Sequence, residues 1–308
     1  MNVLFTWDPP RGLDRVRSCM DGIHVDVCAD PAEIVKRVVE ADVLCVGHFN
    51  AEILAAAKRL RWVQAFSGGV NSVMFPEFVN SPVPMTCLKG SFDVPGAEHA
   101  LAVMLAFSRR LEYDIRLRPK RMFEITEPLE LHGKTVGIIG LGNMGMEIAR
   151  RCRAFGMRVL GISRNPRAAS DDVDRVLTRQ QTPQLLAESD FVIVAVPLTP
   201  GTEKLIGEKE LRAMKKTAYL VDVSGRPAVY DLDALVRVLK EGAIAGANLQ
   251  MIPPEGSPLW DLERLLISAH RIVSHEQYDR CVEMFCENLK RFRDGRPLLG
   301  LVDKAAGY

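Results

Sequence analysis

Short apolar runs alternate with amphipathic stretches along the whole chain. In the first part the apolar runs have the length of β-strands, and they read "NVLFT", "IHVDVC", "DVLCVG", "WVQAFS" and "VPMTC". Segments with helical periodicity separate them, among them "PAEIVKRVVEA" and "NAEILAAAKRL". This alternation is typical of βαβ units, in which helices connect the strands of a parallel sheet. The pattern therefore predicts an α/β fold.

A second series of strands and helices begins after "LHGK". Its predicted strands read "TVGIIG", "RVLGIS", "FVIVAV", "AYLVDV", "AIAGANL" and "LLISAH". Between the two series, "PGAEHALAVMLAFSRRL" predicts a long, heavily buried helix, and near the end "EQYDRCVEMFCENLKRFRDG" predicts an amphipathic helix that stops at a glycine. A chain of 308 residues with two such series is long enough for two domains.

The composition is that of a soluble globular protein. The chain is 47% hydrophobic and 26% charged with a net charge of +1, which favours neither a general nucleic-acid binder nor an anionic-membrane binder. Seven scattered cysteines favour free thiols in a reducing compartment. No apolar segment has the roughly 18 residues of a membrane span, and no His, Cys and Asp cluster has metal-ligand spacing. We therefore expect a cytoplasmic protein without a metal, membrane or nucleic-acid partner.

The stretch "TVGIIGLGNMG" places Gly140, Gly142 and Gly145 directly after a predicted strand and at the start of a predicted helix. In a dinucleotide-binding loop the first glycine permits a tight turn, and the second lets the backbone approach a pyrophosphate. The third allows close packing of helix and strand. Because the strand, loop and helix follow in the required order, the motif predicts dinucleotide binding.

The strand after the glycine loop bears on the choice of cofactor. An acidic residue at its end would favour a free ribose 2′-hydroxyl, but "RVLGISRNPR" ends in Ser163 and Arg164 instead. A hydroxyl and a guanidinium suit a 2′-phosphate, because charge-assisted hydrogen bonds are strong. The sequence therefore favours NADP(H), with NAD(H) also possible; the alternative interpretation is that Arg164 is a solvated surface residue.

Two polar residues stand near the ends of late strands. Glu255 follows "LQMIPP", and His270 ends "LLISAH". Because strand ends in a doubly wound sheet converge on the cofactor crevice, the two side chains can meet there. A carboxylate that orients an imidazole and favours its protonated form lets the ring protonate a carbonyl oxygen as hydride arrives. The alternatives are that Glu255 is a surface residue and that His270 forms its hydrogen bonds within a loop.

These residues resemble the pattern of the D-isomer-specific 2-hydroxyacid dehydrogenases, a family that includes the glyoxylate/hydroxypyruvate reductases. The similarity covers most of the chain, and its most specific segments are "LRWVQAFSGGVNSV", "LHGKTVGIIGLGNMG" and "VAVPLTPGTEKLIGEKELRAMKKTAYLV". The β-hydroxyacid dehydrogenases and imine reductases share a loop like "GLGNMG", but in those families it lies near the N-terminus and an all-helical domain follows. Here a long βα series precedes the loop, which argues against them.

The resemblance implies an architecture. We expect a Rossmann-type, doubly wound cofactor domain inserted into a flavodoxin-like α/β substrate domain. The substrate domain would comprise residues 1–95 and 276–308, and the dinucleotide-binding domain residues 96–275. The resemblance also implies a homodimer built through the cofactor domains.

The resemblance also implies roles for individual residues. His270 matches the family's acid/base histidine and Glu255 its partner, and the loop of Gly68, Gly69 and Val70 would bind the carboxylate of a small anionic substrate through backbone amides. The positions expected to contact the cofactor are Gly140, Gly142, Asn143, Met144, Gly145, Ser163, Arg164, Pro197, Thr202, Val223 and Gln250.

Three departures make the predicted site atypical. The family reads roughly "N-v-a-R-G" where this chain reads "DVSGR", so Gly225 takes the place of the substrate-binding arginine and Arg226 comes one residue later. Gln250 replaces an aspartate near the nicotinamide carboxamide, and Ala269 replaces a proline. A one-residue slip in a regular strand turns a side chain to the opposite face, but a glycine permits other backbone angles. Arg226 is therefore expected to serve as the substrate arginine; alternatively it faces solvent or binds a cofactor phosphate.

Two functions follow from these patterns. The first is an oxidoreductase that transfers hydride between NADP(H), or NAD(H), and a small 2-keto or 2-hydroxy acid or a related anion. In it, His270 acts as acid/base beside Glu255, and Arg226 grips the substrate. The alternative is a catalytically weak or inactive NAD(P)-binding homologue with a regulatory or scaffolding role, which the departures at Gly225, Gln250 and Ala269 favour.

Overall fold

The structure is a computed structural model that describes residues 1–164, 170–269 and 273–307. The chain divides into two compact units, the first formed by Met1–Phe92 with Ser274–Tyr308 and the second by Asp93–Val273. Each unit contains one parallel β-sheet with helices between its strands, so the predicted α/β fold is confirmed. The assignment of substrate and cofactor to particular residue ranges stays a prediction.

The elements follow one another in the order that the sequence pattern predicts. The strands are β1 Asn2–Phe5, β2 His24–Val27, β3 Val43–Val46, β4 Trp62–Ala65, β5 Met85–Cys87, β6 Thr135–Ile139, β7 Arg158–Ile162, β8 Arg175–Leu177, β9 Phe191–Val194, β10 Tyr219–Asp222, β11 Gly246–Leu249 and β12 Leu265–Ile267. The α-helices are α1 Leu13–Ser18, α2 Pro31–Arg37, α3 Ala51–Ala56, α4 Pro76–Val79, α5 Asp93–Ser108, α6 Leu111–Leu117, α7 Asn143–Ala154, α8 Thr182–Glu188, α9 Glu208–Ala213, α10 Leu232–Glu241 and α11 His275–Arg293. Short 3₁₀ helices lie at Val38–Glu40, Asn71–Val73, Arg118–Lys120, Arg179–Gln181, Pro227–Val229 and Pro258–Asp261.

The sheet of the first unit has the strand order β2-β1-β3-β4-β5, and all its strand pairs are parallel. This is the 2-1-3-4-5 order of flavodoxin-like sheets, as the resemblance implies. Strands β3 and β4 are buried along their full length, because helices cover both faces of such a sheet. All the strands therefore end at one carboxyl edge, where ligands of this fold bind.

The sheet of the second unit has the order β12-β11-β10-β9-β6-β7-β8 and is also entirely parallel. Counted from β6, this is the Rossmann order 3-2-1-4-5-6 with β12 added at one edge. The order reverses between β6 and β9, so the loops after these strands flank the point where dinucleotides bind.

Two elements of the second unit differ from the sequence-based prediction. The short strand β8 is absent from the predicted strands, because its apolar content is only Val176 and Leu177. The predicted long helix ends early: α5 stops at Ser108, and Arg110 adopts the left-handed conformation (φ 60°) before α6 begins. Helix α5 is nevertheless heavily buried, as predicted, with buried residues around most of its circumference.

Candidate active site

The glycine loop joins β6 to α7, and its three glycines serve different purposes. Gly140 has φ +109°, and a Cβ there would lie 2.5 Å from the Ala195 carbonyl oxygen. A Cβ on Gly145 would collide with the carbonyl oxygen of Gly140. A Cβ on Gly142, by contrast, would meet no heavy atom within 4 Å. Protein packing therefore requires the first and third glycines, whereas the second leaves open space beside the backbone.

Helix α7 begins directly behind that open space. Its N-cap residue, Gly142, provides no side-chain cap, and helix geometry leaves the first-turn N–H groups without partners inside the helix. Asn143 and Met144 are the first residues of this turn. The Met144 side chain packs closely on Gly96 of α5, since a Cβ on Gly96 would lie 2.7 Å from the Met144 Cε. The partial positive charge of the helix end suits a pyrophosphate, so a dinucleotide fits these residues.

Ser163 and Arg164 follow β7 at its carboxyl end, beside the glycine loop. The link is direct, because the backbone N–H groups of Gly140 and Leu141 both donate to the Ile162 carbonyl, at 3.1 and 3.0 Å. Ser163 is half-buried and Arg164 is exposed. A hydroxyl and a guanidinium thus lie at the strand end where a ribose substituent would be bound.

The loop after β9 contains Pro197 and Thr202. The Thr202 hydroxyl donates to the Pro197 carbonyl at 2.6 Å and accepts from the Thr199 N–H at 2.8 Å. Its observed role is to close the loop, and a contact with the cofactor stays a prediction. Val223, after β10, is buried and donates its N–H to the Val194 carbonyl at 3.1 Å.

Asp222 organises the end of β10, a role that the sequence did not predict. Its Oδ1 accepts from the Ser224 N–H at 2.8 Å, the Ser224 hydroxyl at 2.6 Å, the Gly225 N–H at 3.3 Å and the Tyr230 hydroxyl at 2.8 Å. Its Oδ2 accepts from the Gln250 N–H at 3.0 Å. Only 1% of this carboxylate residue is exposed. The sequence "DVSG" carried the signal, because an aspartate followed by serine and glycine is typical of an Asx-turn.

This turn explains the displaced arginine. Gly225 has φ +59°, a conformation that strains any residue with a Cβ, so an arginine at this position would be unfavourable. Arg226 follows in an extended conformation, is partly buried, and donates its N–H to the Ser224 hydroxyl at 3.2 Å. Within residues 1–164, 170–269 and 273–307, no carboxylate forms an ion pair with the Arg226 guanidinium.

Gln250 lies next to this turn with an unsatisfied side chain. The residue is 2% exposed, and its Nε2 has no hydrogen-bond partner among the described residues. Its Oε1 lies 3.8 Å from the position of a Cβ on Gly225. Buried polar groups nearly always have partners, so this amide is available to a group that the described residues do not supply.

Glu255 lies in an exposed turn after β11. The turn is closed by the Ser257 N–H and the Trp260 indole N–H, which donate to the Pro254 carbonyl at 3.1 and 3.0 Å. His270 falls outside the described residues. The pairing of Glu255 with His270 therefore stays a prediction.

The sequence also did not predict a buried polar network at the carboxyl ends of β11 and β12. The His99 Nε2 lies 3.1 Å from the Ser268 hydroxyl, which accepts from the Asn248 amide at 2.8 Å. Burial lowers the pKa of His99, and the charge of Asp222 opposes this shift. No sequence spacing connects His99 with the strand ends, because only the packing of α5 brings it there.

The predicted carboxylate-binding loop follows β4 in the first unit. The Ser67 hydroxyl donates to the Gly69 carbonyl at 2.6 Å, and Val70 is buried. Gly68 is exposed, and a Cβ there would lie 3.1 Å from the Phe92 ring. The glycines thus keep the loop backbone accessible, as close approach to a ligand requires.

The described parts of the chain contain neither a cluster of metal ligands nor a helix that could span a membrane. In those ranges no three His, Cys, Asp or Glu side chains converge so that they could hold a metal ion. No helix among the described residues is both long enough and apolar enough to cross a membrane.

Comparisons with known proteins agree with this architecture. The family model for the NAD binding domain of D-isomer specific 2-hydroxyacid dehydrogenases matches residues 101–271. The chain is 35% identical to a glyoxylate reductase of Korarchaeum cryptofilum and 33% identical to one of Thermococcus gammatolerans, each time over 96% of this chain and 93% of the relative. A crystal structure of a D-isomer specific 2-hydroxyacid dehydrogenase from Xanthobacter autotrophicus, in complex with NADPH and MES, superposes with a TM-score of 0.84. The Xanthobacter protein is 25% identical to this chain, and the superposition covers 100% of this chain and 99% of that protein. The chain therefore belongs to the D-isomer specific 2-hydroxyacid dehydrogenases, a family of NAD(P)-dependent oxidoreductases.

Proposed function

We propose that this enzyme reduces small 2-keto acids to D-2-hydroxy acids with NADPH. In this reaction the carbonyl carbon gains a hydride, the carbonyl oxygen gains a proton, and NADPH is oxidised to NADP⁺. The observation that carries the proposal is the glycine loop, whose open side at Gly142 faces an uncapped helix N-terminus. The glyoxylate reductases among its relatives support the substrate class.

The preference for NADPH rests on Ser163 and Arg164. Both follow β7, beside the loop that would hold the pyrophosphate. An arginine forms strong, charge-assisted hydrogen bonds with a phosphate and offers less to a free hydroxyl. The related Xanthobacter enzyme, crystallised with NADPH, is consistent with this choice, and NADH would serve as the weaker donor.

The substrate end of the site combines an acid with anion-binding groups. When bound, the reduced cofactor supplies the hydride. His270 would protonate the carbonyl oxygen, and Glu255 would favour the charged imidazole. Arg226 or the amides of Gly68 to Val70 would bind the substrate carboxylate. No carboxylate among the described residues forms an ion pair with the Arg226 guanidinium, so this group is available for bidentate recognition. The Gln250 amide would hydrogen-bond to the nicotinamide carboxamide, which gives its unpaired Nε2 a partner.

One assay separates this function from the alternative of a non-catalytic NADP(H)-binding protein, which the left-handed Gly225 at the arginine position favours. NADPH oxidation is followed at 340 nm with glyoxylate, hydroxypyruvate, pyruvate and phenylpyruvate, and the thermal midpoint is measured with and without NADPH. We expect reduction of at least one 2-keto acid. If NADPH raises the thermal midpoint while every substrate fails, the protein binds the cofactor without catalysis and the proposed function is wrong.

We further propose that the enzyme acts as a homodimer in the cytoplasm. Large apolar side chains are exposed on α6 and on the segment after it, where Ile115 is 70%, Phe123 80% and Ile125 94% exposed. Large apolar side chains exposed within one short stretch of chain are typical of an interaction site, and a second copy of the second unit would cover them. All seven cysteines are free thiols, which suits a reducing compartment.

A further inference from the structure

Aromatic side chains gather at the carboxyl edge of the first sheet. Trp7 lies two residues beyond the end of β1, and Phe66 is the first residue after β4. Their ring centroids are 5.2 Å apart with an interplanar angle of 58°. Both side chains are only partly buried, although aromatic residues of this size usually lie inside the core or in a binding site.

The surrounding structure fixes both rings. Phe66 packs against Phe5 and Phe285, with centroid distances of 5.6 and 5.2 Å. Trp7 fits against Gly47, where a Cβ would lie 2.8 Å from the Trp7 Cβ. The end of β3 is tied to the end of β1, since the Thr6 hydroxyl accepts from the Gly47 and His48 N–H groups at 2.8 and 2.9 Å. The two aromatic faces are therefore preorganised.

The aromatic pair adjoins the loop that would bind the substrate carboxylate. Phe66 is followed directly by Ser67 and then by Gly68, whose backbone packs against the Phe92 ring. An anion-binding loop next to rigid aromatic faces suits a molecule with a carboxylate at one end and an apolar group at the other. Glyoxylate, which has no side chain, would leave these faces unused.

We propose that Trp7 and Phe66 bind the side chain of the substrate, so that the preferred substrates are 2-keto acids with an aromatic or bulky apolar group on C3. This inference rests on the proposed function and narrows its substrate class. With phenylpyruvate as the probe, one NADPH and one proton would convert the ketone to phenyllactate, with release of NADP⁺.

The test compares phenylpyruvate with glyoxylate at saturating NADPH. We expect a kcat/KM for phenylpyruvate at least about tenfold higher, because a pocket that fits a larger apolar group discriminates by this much or more. A preference for glyoxylate overturns the inference but leaves the proposed function intact. Failure of every 2-keto acid overturns the proposed function and this inference with it.

Two substitutions test whether the aromatic pair causes the preference for phenylpyruvate over glyoxylate. In Trp7→Ala and in the milder Phe66→Leu, kcat/KM for phenylpyruvate should fall about tenfold, whereas the value for glyoxylate stays within about twofold. The control is Phe155→Ala, which removes an exposed ring in the second unit and should change neither value. Because both substrates are assayed on one preparation, the fraction of folded enzyme cancels in their ratio. An unchanged ratio in both aromatic variants overturns the inference.

Discussion

At the residue scale, the ends of β10 and β11 show an exchange of side-chain types. The family pattern has an asparagine at the end of one strand and an aspartate at the end of the next, whereas this chain has Asp222 and Gln250. The Gln250 N–H donates to the Asp222 carboxylate at 3.0 Å, so the two positions are direct neighbours. The pair therefore retains one carboxylate and one amide. The carboxylate now closes the turn at Gly225, which leaves Arg226 as the next position for a cation.

The turn at Asp222 leads to a prediction about stability. Asp222→Asn keeps one acceptor oxygen but places an NH₂ group against hydrogen-bond donors, and it removes a charge that accepts five hydrogen bonds in a buried site. The free energy of unfolding should fall by about 2–4 kcal/mol, measured by urea unfolding followed by circular dichroism. Asp231→Asn is the control, because Asp231 caps α10 through the Ala234 N–H and asparagine caps equally well, within about 0.5 kcal/mol. Equal losses in the two variants would contradict the role given to Asp222.

At the scale of elements, β7 presents different side chains at its two ends. Its amino end carries Arg158, paired with Glu188 at 3.1 Å. Its carboxyl end leads into Ser163 and Arg164 beside the glycine loop. Only the second end lies at the edge of the sheet where the ribose of a dinucleotide is bound. The same residue type therefore has a structural role at one end and a proposed recognition role at the other.

This asymmetry gives a prediction for cofactor choice. Arg164→Ala should raise KM for NADPH roughly tenfold or more, because a charged hydrogen bond to the 2′-phosphate is lost. KM for NADH should stay within about twofold, because NADH has no 2′-phosphate. Arg158→Ala, on the same strand, should leave both constants unchanged. Initial rates at subsaturating NADPH and NADH measure the effect. If the wild-type enzyme is faster with NADH, or if Arg164→Ala weakens both cofactors equally, the 2′-phosphate is not read by Arg164.

Elements also mark the limit of what the sequence predicts. The strands of both sheets other than β8 were predictable because buried parallel strands read as apolar runs. The end of α5 was not, since the left-handed residue after it is Arg110 and not the glycine that usually signals a helix end. The network of His99 with Ser268 and Asn248 joins residues far apart in the chain. Such contacts depend on tertiary packing, which the local periodicity of a sequence does not predict.

At the scale of the whole molecule, the exposed apolar side chains on α6 and on the segment after it support the proposed dimer. Ile115, Phe123 and Ile125 are large, apolar and mostly exposed, and monomeric proteins rarely leave large apolar patches open. A net charge of +1 gives two copies little mutual repulsion. These features favour self-association through the second unit over an isolated chain.

The oligomeric state follows as a prediction. Light scattering coupled to size-exclusion chromatography should give about twice the 34.2 kDa of one chain for the wild-type protein. Phe123→Ser combined with Ile125→Ser should shift the mass to that of one chain, because two exposed aromatic and aliphatic contacts are removed from the interface centre. Val39→Ser, at an exposed valine of the first unit, should leave the dimer intact. The NADPH-induced rise in the thermal midpoint should persist in the double variant, since the glycine loop lies outside the substituted segment. A wild-type monomer, or a double variant that remains dimeric, would place the interface elsewhere or remove it.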